Sequence, residues 1–159
     1  MEPDRLIVED SLELVARRLR MLGFDVASAG ALALPELLAE AERQGRIALT
    51  PSARHPRRYG HVRVISVPLA HPAAAVRRVV RTCMPAGPPF TRCPRCNVAL
   101  EAKSGAEAVG HVPQDVLARV DPSGRCPACG RWFWEGSHTQ RVRQWLRAAR
   151  VLGTVEPGR

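Results

Sequence analysis

The chain has 159 residues, 45% of them hydrophobic, and no apolar run approaches the roughly 18 residues that a membrane-spanning helix needs. These properties predict a soluble, globular chain without a membrane-spanning helix, with one ordinary domain or one domain with an appendage. Basic residues outnumber acidic ones by 24 to 15, and Lys103 is the only lysine, so arginines carry most of the +9 charge. Arginine pairs well with phosphate, which favours nucleic acid as a partner, although a GC-rich genome also produces an arginine-rich composition.

Residues 1–85 alternate between strand-like and helix-like segments, the pattern of a parallel sheet flanked by helices. Short apolar runs predict four strands, at Leu6–Val8, Phe24–Ala29, Arg46–Thr50 and Val62–Val67. Three other segments predict helices: Ser11–Leu22, a helix that Pro35 opens and that ends before Gly45, and Pro72–Cys83. The predicted fold class is therefore α/β, with a first domain over residues 1–85.

A second domain is predicted over residues 86–159. The segment Met84–Pro89 has three prolines, which remove backbone donors and fix φ, so it predicts a linker or a sharp domain boundary. The mostly aromatic run Arg131–Trp134 predicts a strand, and the periodicity of residues 139–152 predicts a last helix with Val142, Trp145, Leu146 and Ala149 on one face.

Two Cys-x-x-Cys motifs, Cys93–Cys96 and Cys126–Cys129, predict a metal site in this second domain. Each motif bends the backbone so that two thiolates converge, and two motifs complete a closed, structural four-thiolate shell for one Zn²⁺ per chain. Two disulfides or idle thiols are the alternative, which we disfavour because no signal peptide directs the chain to an oxidising compartment. We therefore expect a cytoplasmic protein, with the fifth cysteine, Cys83, as a small core residue.

Four acidic residues are candidate catalytic metal ligands: Glu9, Asp10, Asp25 and Glu36. Ligands of parallel sheets gather at the carboxyl ends of the strands, and a nuclease site needs several carboxylates that hold Mg²⁺ or Mn²⁺. Structural roles compete with this interpretation. Asp10 with Glu13 forms a plausible helix capping box, and Glu36 would favour the positive end of its helix dipole.

Seven basic residues are candidate nucleic-acid contacts: Arg17, Arg20, Arg54, Arg57, Arg58, His138 and Arg141. The loop arginines, Arg54 to Arg58, follow the third strand, where we expect the substrate edge of the sheet. Arg141 lies on the last helix. His138 could contact phosphate or simply begin that helix, and a role as a further zinc ligand is unnecessary beside four cysteines.

Several segments together resemble the mut-seven C-terminal ribonuclease family, in which a PIN-like domain precedes a zinc ribbon. The resemblance rests on Leu12–Asp25, Gly45–Thr50, Phe90–Asn97, Cys126–Arg131 and Phe133–His138. It spans most of the chain and implies a PIN-like parallel-sheet domain, a small four-cysteine zinc ribbon, a C-terminal helix and a role in RNA processing.

The chain departs from the family pattern at the acidic positions. Glu9 stands where the family has an aspartate after the first strand, and Leu34 and Pro35 stand where it has an acid at the second helix. The third strand ends in Thr50-Pro51-Ser52 rather than Thr-Arg-Asp. We therefore expect an RNA-binding protein with a degraded nuclease site. The alternatives are an active endoribonuclease that uses Mg²⁺ or Mn²⁺, or an interaction module that docks on a ribonucleoprotein or protein assembly.

Overall fold

The computed structural model describes residues 2–120 and 122–148 of the chain. The fold divides into two compact units, residues 1–97 and residues 98–159. The proline-rich segment and the first Cys-x-x-Cys motif belong to the first unit. The assignment of separate domains on either side of residue 85 stays a prediction.

The first unit contains a four-stranded parallel sheet in the order β2-β1-β3-β4. Its strands are β1 (Arg5–Val8), β2 (Asp25–Ser28), β3 (Ile47–Thr50) and β4 (Val64–Ser66). The four predicted strands are thus confirmed, with slightly different ends. From β1 the chain first adds β2 on one side and then returns to add β3 on the other, so the strand order reverses between β1 and β3. In open α/β sheets ligands bind at the carboxyl ends of the strands at such a reversal.

Three helices cover this sheet: α1 (Glu13–Met21), α2 (Leu34–Gln44) and α3 (Pro72–Thr82). A 3₁₀ turn at Asp10–Leu12 precedes α1. Helix α1 packs against β2 and α3, whereas α2 packs against β1 and β3. Since parallel crossovers are right-handed, α1 and α2 lie on opposite faces of the sheet.

The face beneath α2 holds one continuous hydrophobic cluster. Its buried members are Ile7, Leu37, Leu38, Ala41, Ala48, Tyr59 and Val62. Tyr59 and Val62 come from the connection between β3 and β4, so that long connection is anchored in the core rather than free in solvent. A proline in the first turn of α2 and the left-handed Gly45 at its end mark the limits of the helix.

The proline-rich segment after α3 packs against the end of α1 instead of forming a free linker. The backbone N–H groups of Ala86 and Gly87 donate to the Gly23 carbonyl at 2.9 and 3.2 Å, and Phe90 N–H donates to the Met21 carbonyl at 2.7 Å. Gly23 is left-handed, with φ +89°. The prolines therefore end α3 as predicted, but the segment that carries them is ordered by contacts with a helix far away in the sequence.

The second unit consists of short elements. They are α4 (Gly105–Ala108), α5 (Gln114–Leu117), β5 (Pro122–Arg125), β6 (Trp132–Trp134) and α6 (Ser137–Ala148). Strands β5 and β6 form an antiparallel pair, and Glu101 bridges to Arg125 on the other side of β5. Val142 and Leu146 of α6 are buried, as its periodicity predicts. Ala149 and the rest of the predicted helix to residue 152 lie outside the described residues.

Candidate functional site

The two Cys-x-x-Cys motifs fold into closely similar turns. The N–H of Asn97 donates to the Cys93 carbonyl at 3.0 Å, and the N–H of Gly130 donates to the Cys126 carbonyl at 2.9 Å. Both residues that follow a second cysteine are left-handed, with φ 58° at Asn97 and 72° at Gly130. Asparagine and glycine are the residues that accept this conformation most readily. Each turn therefore presents its two sulfurs on the same side, as zinc coordination requires.

The sulfur atoms of Cys93, Cys96, Cys126 and Cys129 all lie within 4.8 Å of one another. Tetrahedral zinc with Zn–S bonds of about 2.3 Å places its sulfurs about 3.8 Å apart, so the cluster fits the ion with only small adjustments. The N–H of Cys129 donates to the Cys126 sulfur at 3.4 Å, an interaction that stabilises a thiolate. Within residues 2–120 and 122–148, this is the only group of three or more Cys, His, Asp or Glu side chains close enough to share a metal.

Glu9 and Asp10 lie at the carboxyl end of β1, beside the point where the strand order reverses. The Glu9 carboxylate accepts hydrogen bonds from the backbone N–H of Ser11, at 3.0 Å, and from the Ser11 hydroxyl. Glu9, rather than the expected Asp10, is thus the cap of the turn that leads into α1. Asp10 is exposed, and its N–H donates to the Gly30 carbonyl at 3.1 Å.

The other two positions of this edge carry residues that stabilise local backbone. Glu36 accepts a hydrogen bond from the Ala33 N–H at 3.0 Å, which caps α2. At the end of β3, the Thr50 hydroxyl accepts from the Ser52 N–H at 3.1 Å, and the Ser52 hydroxyl donates to the Arg54 carbonyl at 2.6 Å. The segment after β3 is therefore a turn held by hydroxyl groups, with no carboxylate in it.

Asp25 lies at the opposite edge of the sheet from Glu9. It is aligned with Arg5 at the start of β1, four residues before Glu9, which corresponds to about 13 Å along an extended strand. Its Oδ1 accepts from Arg46 at 2.8 Å and from the Asn97 amide at 2.6 Å. Burial alone would raise the pKa of Asp25, but these hydrogen bonds and the Arg46 charge lower it below its usual value. Glu9, Asp10 and Glu36 thus lie at the carboxyl edge of the sheet without forming a metal-binding cluster, and Asp25 lies at the other edge.

Arg20 is buried, with 1% of its surface exposed, and this placement does not fit the predicted contact with phosphate. Its guanidinium donates to the Val26 carbonyl, the Pro94 carbonyl and the Ser28 hydroxyl at 2.8, 2.8 and 2.6 Å. Its position four residues after Ala16, on the apolar stripe of α1, was the available sign of burial. The side chain ties the edge strand β2 to the first cysteine turn.

Glu13 is the acidic partner of Arg20. The sequence pattern predicts only a capping role for Glu13. Its Oε1 accepts from Arg20 at 2.9 Å, and its Oε2 accepts from the Ser28 hydroxyl at 2.5 Å. Burial tends to raise the pKa of Glu13, but the Ser28 hydrogen bond and the Arg20 charge outweigh it and lower the pKa. Arg17, 54% exposed in its side chain, also pairs with Glu13, at 3.3 Å.

Three exposed arginines follow β3 on a loop that is fixed at two points. The hydroxyl turn at Ser52 holds its start, and the buried Tyr59 anchors its short 3₁₀ turn, Arg57–Tyr59. Arg54, Arg57 and Arg58 form no ion pair with any acid in the described part of the chain, and the Arg58 guanidinium lies 4.9 Å over the Tyr59 ring. Arg54 follows the hydroxyl turn after β3, whereas Arg57 and Arg58 immediately precede Tyr59, which packs in the cluster beneath α2.

Comparison with protein families matches residues 4–146 to the Mut7-C RNAse domain. The chain belongs to the Mut7-C RNAse domain family. No curated protein and no solved structure matches the chain. The family match covers both cysteine turns and the parallel sheet, so the sequence resemblance to this family is confirmed.

The last helix of the Mut7-C chain carries the remaining predicted contacts. His138 lies in the first turn of α6 and is exposed, as is Arg141 one turn later. Trp132 and Trp134 of β6 are half-buried, so neither is a freely exposed aromatic of the kind expected for a docking module. No helix in the part of the chain that is described is long and apolar enough to cross a membrane.

Proposed function

We propose that this Mut7-C domain binds single-stranded RNA through the arginine loop, residues 54–58, and that its ancestral nuclease site is degraded. Family membership supports RNA as the ligand. The observation that carries the proposal is the loop itself, where three exposed arginines lack acidic partners among the described residues although many other arginines have them. Phosphates of an RNA backbone would supply the missing negative charge.

The placement of the acids supports the loss of nuclease activity. Glu9 and Glu36 cap backbone turns, Asp25 pairs with Arg46 at the far edge, and the third strand ends in hydroxyl residues. A two-metal site needs several carboxylates that converge on the ions. Neutral hydroxyls hold Mg²⁺ or Mn²⁺ less well than carboxylates do, so we expect weak binding of these ions.

We further propose that Cys93, Cys96, Cys126 and Cys129 hold one structural Zn²⁺ per chain. Four thiolates leave no open position for substrate or water, so the ion would stabilise the fold rather than take part in hydrolysis. The reduced thiols that zinc requires fit a cytoplasmic location.

A titration of labelled single-stranded RNA at several salt concentrations tests RNA binding. Replacing Arg54, Arg57 and Arg58 with glutamine should weaken binding and reduce the slope of log affinity against log salt by about 2, since each phosphate contact on a single strand contributes about 0.7. The matched control replaces Arg43, Arg78 and Arg119, which are also exposed but already hydrogen-bonded. It removes the same charge, so an equal loss in both triple variants would assign the effect to net charge and contradict the proposed loop site.

An active endoribonuclease that depends on Mg²⁺ or Mn²⁺ is the second candidate function. It is favoured by the position of Glu9 at the reversal of strand order, with Asp10 and Glu36 at the same edge. In that case Glu9→Gln should abolish cleavage and leave RNA affinity unchanged. Asp25→Asn would then act on stability rather than on catalysis, because Asp25 lies at the other edge.

A further inference from the structure

The second unit contains a cavity of about 450 Å³ beside the second cysteine turn. This volume is within the range of about 300–1,000 Å³ that is common for small-ligand sites. Its lining residues are Lys103, Glu107, His111, Arg125, Gly130 and Trp132. All of them belong to the second unit, so the cavity is separate from the arginine loop.

Two aromatic rings form one wall of this cavity. The rings of His111 and Trp132 are stacked, with centroids 5.4 Å apart and an angle of 15° between their planes. Trp132 is fixed by strand β6, and His111 by a turn in which the N–H groups of His111 and Val112 both donate to the Ala108 carbonyl at 3.0 Å. Because the inner faces of the two rings cover each other, a flat ligand would extend the stack from an outer face, and His111 is exposed. The stacked pair is thus a preformed platform, since little entropy is lost in ordering the rings.

Two cations lie beside the platform. Arg125 is directly opposite Trp132 across the β5–β6 pair, and Lys103 follows the segment that bridges to Arg125. Lys103 Nζ lies 3.3 Å from a carboxylate oxygen of Glu107 and 3.8 Å from one of Glu101, so its charge is already paired. The cavity thus combines an aromatic surface with one cation, Arg125, that forms no ion pair with an acid among the described residues.

We propose that this cavity, the ribbon pocket, binds one nucleotide of single-stranded RNA. The base stacks on the His111–Trp132 platform, and its phosphate contacts Arg125. Aromatic stacking with a base is available to any sequence, so the ribbon pocket adds affinity without strong sequence preference. This proposal rests on the proposed function, because it takes RNA as the ligand, but it assigns a second and independent contact.

Photocrosslinking of RNA that contains 4-thiouridine locates the contact. We expect crosslinked peptides both from residues 54–58 and from the segments that contain His111 and Trp132. Crosslinks confined to residues 54–58 would overturn the ribbon pocket and leave the arginine loop intact. Crosslinks confined to the ribbon pocket would overturn the loop instead, and the absence of any crosslink would overturn both.

Substitutions then measure the contribution of stacking. Trp132→Leu should lower RNA affinity by about 5- to 150-fold, since one stacked base contributes about 1–3 kcal/mol. Trp132→Phe should restore most of the loss, and Arg125→Gln should lower both affinity and its salt dependence. Trp134→Leu is the matched control, because Trp134 is on the same strand but lines a different cavity.

Zinc content and far-UV circular dichroism must match the wild type in each variant used. Should Trp132→Leu fail to fold, Arg125→Gln and His111→Ala provide the test, since neither residue is buried. Wild-type RNA affinity in both of these folded variants would contradict the proposal.

Discussion

Gly23→Ala tests whether the proline-rich segment is held against α1. Gly23 has φ +89°, and its carbonyl accepts hydrogen bonds from both Ala86 and Gly87. A Cβ atom at this position would overlap the Gly87 carbonyl oxygen and lie 2.8 Å from the Gly87 carbonyl carbon and from the Pro88 oxygen. These are backbone atoms that cannot rotate away, so the segment has to leave its place on α1.

The expected cost has two parts. A left-handed conformation costs an alanine about 1–2 kcal/mol. Displacement of residues 86–88 also removes the two hydrogen bonds to the Gly23 carbonyl, each of which contributes about 0.5–1.5 kcal/mol. We therefore expect Gly23→Ala to lower the free energy of unfolding by about 2–5 kcal/mol.

Gly30→Ala separates these two parts. Gly30 is also left-handed, with φ +78°, but nothing lies within 4 Å of its Cβ position. It should therefore cost only the conformational part, about 1–2 kcal/mol. Urea unfolding followed by far-UV circular dichroism compares the two variants. Equal destabilisation by both would refute the packing of the proline-rich segment on α1.

Three further substitutions test other parts of the structure. Cys126→Ser should abolish zinc binding and with it the roughly 10–16 kcal/mol that the bound ion contributes to folding. Cys83→Ser should retain one zinc per chain in elemental analysis. Arg20→Met should lower the free energy of urea unfolding by about 3–5 kcal/mol, because Glu13 loses its buried charge partner and several acceptors lose their donor. Arg17→Met should lower it by under about 1 kcal/mol, and similar values for both variants would contradict the buried network. The pKa of Asp25 is lower in the folded than in the unfolded protein, so the stability that Asp25 contributes is complete above its unfolded pKa and is lost as pH falls through its folded pKa. The difference in the free energy of unfolding between wild type and Asp25→Asn should therefore shrink from pH 7 toward pH 3. A constant difference would argue against the ion pair with Arg46.

Local sequence patterns predicted the elements of the fold well. Apolar runs located the four strands, the stripe on α1 located its buried face, and the spacing of the cysteines located the four-cysteine cluster. These features depend on periodicity and short-range geometry, which a sequence carries directly. The cap before α1 was predicted at the wrong residue, because Asp10 is the more usual capping type whereas Glu9 caps the 3₁₀ turn in the structure.

Long-range partners accounted for the differences. Three prolines predicted a linker, yet the segment after Met84 is ordered by backbone contacts with Gly23 and Met21, which no local pattern reveals. Asp25 was grouped with Glu9, although a residue that begins a parallel strand lies at the amino edge and one that ends a strand lies at the carboxyl edge. The positions of Asp25 near the start of its predicted strand and of Glu9 after the end of its strand already implied this separation.

The edge strand β2 explains why Arg20 and Asn97 have structural roles. The N–H of Val26 donates to the Asn97 side chain at 2.9 Å, and the Val26 carbonyl accepts from Arg20 at 2.8 Å. Side chains thus satisfy backbone groups that an exposed edge would offer to another chain. A count of basic residues cannot distinguish such a buried, structural arginine from an exposed one that is available to bind phosphate.

The most direct measurement follows one labelled single-stranded RNA in zinc-loaded protein with Mg²⁺ or Mn²⁺, and records binding and cleavage in the same samples. We expect salt-sensitive binding that depends on Arg54, Arg57 and Arg58, with the RNA left intact at protein concentrations that saturate it. Rapid metal-dependent cleavage by the wild type, lost in Glu9→Gln with affinity unchanged, would contradict the degraded site and establish an active nuclease.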